Sequence, residues 1–274
     1  MKKIVTRTIT GLIFITIVIG SICWSVYSFM LVFLAVSLLG IHEFYKLSSL
    51  SHIKPQVFYG LFLGAYTFAS ISLYAHDIIG FEFVLLILLF FLIVFIIELY
   101  RKTEHPFANI AYTVLGAFYI ALPLALLNFL YSPFQIRGEF NTHLLLGFFI
   151  IIWTTDTVAY LVGSAFGKHK LFERISPGKT WEGSAGAFVS GILTAYVLSL
   201  IFKDLVFYHW MIISMIIVIT GTLGDLAESM LKRSVNVKDS GTLMPGHGGI
   251  LDRFDGVFFA APFVFIYIYF FIAN

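Results

Sequence analysis

Nine stretches of this 274-residue chain are continuously apolar, at about 8–24, 27–46, 56–75, 79–100, 107–131, 143–166, 183–202, 205–231 and 255–273. A helix needs roughly 20 apolar residues to cross the hydrocarbon core of a bilayer. The runs are apolar at successive positions rather than alternating, which argues against a membrane β-barrel. The pattern therefore predicts an all-α fold, a polytopic helical membrane protein of about nine transmembrane helices. Only a tight turn near Ser25 separates the first two runs.

Polar residues are distributed unevenly between these runs. The first five spans carry few ionisable groups, so residues 1–131 read as an N-terminal transmembrane scaffold. The last four enclose two long polar loops, 167–182 and 232–254, which makes residues 143–274 the expected catalytic region. The Met-Lys-Lys start before an apolar run has the character of a signal peptide. No small-x-small cleavage site follows, so it reads as an uncleaved first span.

Composition agrees with this pattern. Hydrophobic residues make up 59% of the chain and charged residues 12%, where a soluble domain carries about 25% charged. Phe alone, at 31, outnumbers the 15 Asp and Glu, and mean hydropathy is +0.96. A soluble globule and a disordered chain are excluded, and the single Cys23 excludes a disulfide scaffold.

Charge adds an orientation. With nine spans, fifteen of the seventeen Lys and Arg fall on one side, and only Arg137 and Lys203 fall on the other. Basic loops stay cytoplasmic, so the N-terminus and both polar loops are expected in the cytoplasm.

The candidate chemistry is concentrated in residues 221–255. Asp225, Glu228, Ser229 and Lys232 follow i, i+3, i+4, i+7 spacing and share one helix face. A charge at the bilayer centre costs roughly 2.5–3.5 kcal/mol on insertion scales, so two acids there imply more than decoration. The following segment holds Gly241, Pro245, Gly246, Gly248 and Gly249, which favour a tight loop with exposed N–H groups able to cradle an anion. Lys232, Arg233, Lys238 and Arg253 surround it with positive charge. Asp239, Asp252 and Asp255 are hard oxygen ligands suited to Mg²⁺. Acids and bases interleaved in one loop are what phosphoryl transfer requires.

A second constellation lies upstream. Asp156 stands well inside the sixth run among Thr154, Thr155 and Thr157, and an intramembrane acid is a functional-site hypothesis by default. The next loop carries Ser-Pro-Gly-Lys-Thr-Trp-Glu-Gly, whose Ser176, Lys179 and Thr180 suit phosphate oxygens; Thr180 and Glu182 also suit a helix cap. His42, Glu43 and Glu98 lie near span ends, Glu82 and His209 near the outer face, and all five read as interface positions.

The run from Ser229 to Asp255, S-M-L-K-R-x4-K-D-S-G-T-L-M-P-G-H-G-G-I-L-D-R-F-D, resembles the signature of the phosphatidate cytidylyltransferases, the CDP-diacylglycerol synthases. Gly224–Ser229, Asp156–Gly163 and Ser176–Gly183 are similar to further elements of that family in the expected order. Met244 and Val158 depart from it at apolar or small positions away from the charges.

The resemblance implies an enzyme that joins CTP and phosphatidic acid into CDP-diacylglycerol, releasing pyrophosphate. It implies Asp225 and Asp252 as the first metal ligands, with Asp255 and Glu228 next, holding Mg²⁺ and leaving room for a second, monovalent or divalent, cation. Lys232, Arg233, Lys238 and Arg253 would grip the phosphates, and Gly248 and Gly249 would let the backbone approach the nucleotide near His247. Ser176, Lys179 and Thr180 would bind substrate phosphate, and Asp156 would orient the site from the opposite helix. A bacterial inner membrane and a homodimer are expected on the same ground, and no nucleic-acid partner. The rival readings are a related enzyme using CTP on another lipid, such as a polyprenol kinase or an ether-lipid cytidylyltransferase, and an ion-coupled transporter using Asp156, Asp225 and Glu228.

Overall fold

A computed structural model describes residues 2–131, 142–243, 246 and 248–272, with the side chains of 2–7 outside that description. His247, Met244 and Arg137 lie outside the described residues. The helices are α1 (Lys2–Trp24), α2 (Val26–Ser49), α3 (Val57–Ala75), α4 (Phe81–Tyr100), α5 (Pro106–Gly116), α6 (Leu122–Tyr131), α7 (His143–Phe166), α8 (Trp181–Ile201), α9 (Phe207–Ser234) and α10 (Leu251–Phe271).

The expected all-α membrane architecture is what the chain forms. Eight spans among the described residues are long and apolar enough to cross a bilayer, counting α5 and α6 as one, Pro106–Tyr131. The apolar part of α1 is shorter, Thr8–Trp24. The break at Ser25 is a capping box: Ser28 N–H donates to Ser25 Oγ at 3.1 Å and Ser25 N–H to Ser28 Oγ at 3.0 Å.

The fifth span contains a π turn, Ala117–Ala121, closed by Leu122 N–H donating to the Ala117 carbonyl. Its cause stands two residues beyond it. Pro123 has no N–H to donate, and in a regular α-helix its ring would collide with the carbonyl four residues back, that of Tyr119. Admitting one extra residue removes the conflict and re-aims Tyr119.

Two departures from the sequence reading matter for the site. The loop 167–182 contains an antiparallel hairpin, β1 (Lys170–Phe172) with β2 (Ser176–Thr180), pairing Lys170 with Thr180 and Phe172 with Ser176. Glu43 and Glu98, expected at the interface, are both buried. Glu98 accepts from Gln56 Nε2 (2.8 Å), Arg101 Nη1 (2.8 Å), Thr103 Oγ1 (2.6 Å) and Asn109 Nδ2 (2.9 Å), so its charge is satisfied by groups before α3, after α4 and within α5.

The interhelical contacts put the polar segments at one end. Arg101 Nη1 donates to the Lys54 carbonyl (3.0 Å), and Leu251 N–H donates to Glu43, less than two turns from the end of α2. Arg233 Nε reaches the Ile175 carbonyl at 3.5 Å, tying the hairpin to the end of α9. At the other end His143 Nδ1 meets Asp204 Oδ2 at 2.5 Å. This sidedness is the one the basic residues predict.

Candidate active site

The site begins with how closely α9 and α10 approach. A Cβ on Gly256 would stand 3.5 Å from the Gly221 Cα, and one on Gly224 would collide with the Asp255 carbonyl and stand 3.1 Å from the Phe259 Cβ. Larger residues at these positions would push the helices apart. With glycine there, the acids of α9 and the first two turns of α10 face each other.

Lys232 is the hinge of this arrangement. Its ammonium pairs with Glu228 one turn back on α9 and with Asp252 Oδ1 of α10 at 2.6 Å. Glu228 is fully buried, and its Oε1 has no hydrogen-bond partner. The other oxygen of Asp252 holds the loop, accepting from Ser240 N–H (2.9 Å), Ser240 Oγ (2.8 Å) and Gly249 N–H (2.7 Å). Asp252 thus fastens α9, the 240–250 loop and its own helix together.

The glycines of the loop serve these carboxylates. Gly248 adopts φ +84°, which favours glycine, and a Cβ there would collide with the Asp252 carboxylate. A Cβ on Gly249 would run into Glu43 and Ser240. Both positions bring the backbone close to carboxylates, those of Asp252 and Glu43.

Glu43 itself is a functional candidate that the sequence reading passed over. From α2 its Oε2 accepts the Leu251 N–H at 3.1 Å and lies 3.4 Å from Ser240 Oγ. It therefore caps the start of α10 from a helix two hundred residues away. Glu43→Ala would leave the buried Leu251 N–H unpartnered, which costs about 1–3 kcal/mol. We expect a lower unfolding temperature in detergent and reduced turnover, with Glu43→Gln recovering part of both; a wild-type melting curve for Glu43→Ala would remove the clamp.

The hairpin supplies the third wall. Lys179 Nζ on β2 pairs with Asp225 Oδ2 at 2.7 Å. Asp156 on α7 lies in the electrostatic field of both Lys179 and Asp225. Asp255 on α10 is in turn close enough to feel Asp225, Glu228 and Asp156. Thr180 is buried and caps α8, accepting the Gly183 N–H at 3.1 Å. Glu182 instead holds His169, whose Nδ1 lies 2.7 Å from its Oε1.

Seven of the expected residues, Asp156, Lys179, Asp225, Glu228, Lys232, Asp252 and Asp255, thus surround one region where α7, β2, α9 and α10 meet. Ser176 is half-buried at the start of β2, on the same strand as Lys179. Arg233, Lys238 and Arg253 are exposed and lie at the rim, with Arg233 Nη1 also donating to the Val237 carbonyl at 3.3 Å.

Five acidic side chains against two lysines give this region more oxygen ligands than cations, which suits a divalent cation. Among the described residues no group of three His, Cys, Asp or Glu forms a ready metal cage. Mg²⁺ requires none, because it is usually held by one or two carboxylates together with substrate phosphates. The residues present therefore fit such an ion.

A sequence model described as the Cytidylyltransferase family matches residues 5–271. The chain is 34% identical to a phosphatidate cytidylyltransferase of Haemophilus influenzae, over 97% of this chain and 98% of that protein. It is 40% identical to a protein of that name from Staphylococcus saprophyticus, over 59% of the chain and 60% of the relative. The corresponding Bacillus subtilis protein is 38% identical over 60% of each.

Proposed function

The chain belongs to the cytidylyltransferase family, and we propose that it transfers the CMP unit of CTP to phosphatidic acid, forming CDP-diacylglycerol and pyrophosphate for phospholipid synthesis. The observation that carries this reading is the convergence of Lys179, Asp225, Glu228, Lys232, Asp252 and Asp255 between the helices of an apolar bundle. A polar site between apolar helices, next to polar loops, suits a reaction between a lipid phosphate and a water-soluble triphosphate.

A phosphate-monoester oxygen of the lipid attacks the α-phosphorus of CTP. One P–O bond forms, the bond to the β-phosphate oxygen breaks, and pyrophosphate leaves with that electron pair. The attacking oxygen is already anionic, so no protein nucleophile or general base is required. Catalysis is then positioning and charge neutralisation. Lys179 and Lys232 would exchange carboxylate partners for phosphate oxygens, and Arg233, Lys238 and Arg253 would gather the triphosphate at the rim.

Mg²⁺, when bound, would neutralise phosphate charge. Asp225 and Asp255 are the acids best placed to hold it: Glu228 and Asp252 share the buried Lys232, whereas Asp225, although paired with Lys179, keeps 40% side-chain exposure. Asp252 is the sequence's other first choice, and its role in holding the loop is compatible with turning one oxygen to an ion.

The same reading places the protein in a bacterial inner membrane with the hairpin and the 232–250 segment facing the cytoplasm, where CTP is. It takes a homodimer as the assembly and no nucleic acid as partner. The name of the relative aligned over its whole length favours phosphatidic acid over polyprenols or ether lipids, and the crowding of acids at one end of the bundle disfavours a transport path. Purified protein in detergent with Mg²⁺, labelled CTP and phosphatidic acid should yield a labelled CDP-lipid. Folded protein that yields none would sink the proposal.

A further inference from the structure

The apolar N-terminal half sends one polar atom toward this site that nothing in the structure satisfies. Tyr119 stands in the π turn of the fifth span, re-aimed because Pro123 forbids a regular helix there. Its ring packs against Phe258 and Phe259 of α10, with centroids 5.4 and 6.2 Å away, and against Phe44 of α2 at 6.3 Å. Its hydroxyl is buried without a hydrogen-bond partner.

Burying a hydroxyl without a partner is costly, and a Phe would fill the same aromatic niche without that cost. Phe259 lies one turn further along α10 than Asp255, so the Tyr119 ring packs against α10 just beyond the acid cluster, on the side away from the 240–250 loop. Asp255, Glu228 and Asp225 are the charges that act on the phenol. Glu228 Oε1, the other unpartnered polar atom of this region, belongs to the same group. Two buried polar atoms without partners at the edge of one acid cluster leave hydrogen-bonding capacity for a ligand to complete.

We infer that Tyr119 is a further substrate-contacting residue, whose hydroxyl donates to a phosphate oxygen of the lipid substrate from the side of the site away from the 240–250 loop. The lipid is the better match of the two substrates. Its phosphate must reach the site while its chains remain among apolar side chains, and Phe44, Phe258 and Phe259 surround the phenol. The triphosphate has its natural grip at the opposite, basic rim, where Arg233, Lys238 and Arg253 stand. The inference rests on the reaction proposed above and adds to Glu43 a second contribution from the N-terminal half of the chain.

Tyr119→Phe deletes the oxygen alone. We expect an unfolding temperature equal to or above that of the wild type, because an unpaired buried hydroxyl is removed. We also expect about a tenfold fall in kcat/KM for phosphatidic acid, the scale of one hydrogen bond to a charged group, with KM for CTP unchanged. A merely structural hydroxyl would move stability and activity together, and this contrast is what a structural role cannot produce. Wild-type kinetics in Tyr119→Phe would overturn the inference while leaving the reaction intact. A loss that fell on KM for CTP would overturn the assignment to the lipid. A wild-type protein forming no CDP-lipid would instead overturn the reaction itself.

Discussion

Asp225→Ala is expected to reduce CDP-lipid formation by at least about a hundredfold, the scale on which a single preorganised charge-stabilising group acts, while leaving the melting curve nearly unchanged. Both halves follow from position. Asp225 stands where the hairpin, α9 and α10 meet, paired with Lys179, and its side chain keeps 40% of its exposure. A half-exposed pair contributes little to stability, so its removal leaves the bundle intact. The loss of activity has two sources: one of the two carboxylates best placed for the cation disappears, and Lys179 loses the partner that holds it ready for phosphate. Incorporation of labelled CTP into lipid, alongside thermal unfolding of the same preparation, measures both. Near-normal turnover would remove Asp225 from the site, and a collapsed melting curve would make it structural.

Lys232→Met is expected to behave in the opposite way, with stability failing first. Its ammonium is the shared partner of Glu228 and Asp252, and its side chain is only 12% exposed. Removing it leaves two acids facing each other with no cation between them. Breaking a buried ion pair from one side costs about 3–5 kcal/mol, a large share of a typical domain's net stability. Activity falls too, because Asp252 also fastens Ser240 and Gly249. Adding Glu228→Gln to Lys232→Met should restore part of the lost stability, as neighbouring groups in one network are not additive. Identical melting of the single and double variants would show that Glu228 and Lys232 are not coupled.

These contrasts show what could be read from the sequence and what could not. The spans were legible because the bilayer enforces one simple rule, a run of apolar residues long enough to cross. The acids of α9 and α10 were legible because they lie within thirty-one residues of one another and share helical spacing. Lys179 was legible as a phosphate-binding type, although its strand was not: Ser-Pro-Gly-Lys-Thr is short and has no apolar alternation to signal one. Glu43 could not be placed, because its partners Leu251 and Ser240 are some two hundred residues away. Position near a span end suits a solvated acid and a buried one equally. Glu98 was misread for the same reason, since its four donors come from three separate segments. Tyr119 carried one usable signal, a proline four residues later inside an apolar run.

That proline has a consequence for the span as a whole. At about 100° per residue, an unbroken helix would set Asn128 about 100° around the axis from Asn109. The extra residue in the π turn cancels this offset, so the two asparagines fall on one line. That line faces α3: Asn109 Oδ1 accepts from the Lys54 N–H just before α3 begins (2.7 Å), and Asn128 Nδ2 donates to Ser72 Oγ in its last turn (2.8 Å). The turn acts as a phase correction, letting a single span meet one neighbour through an asparagine near each end while its middle turns a tyrosine toward another.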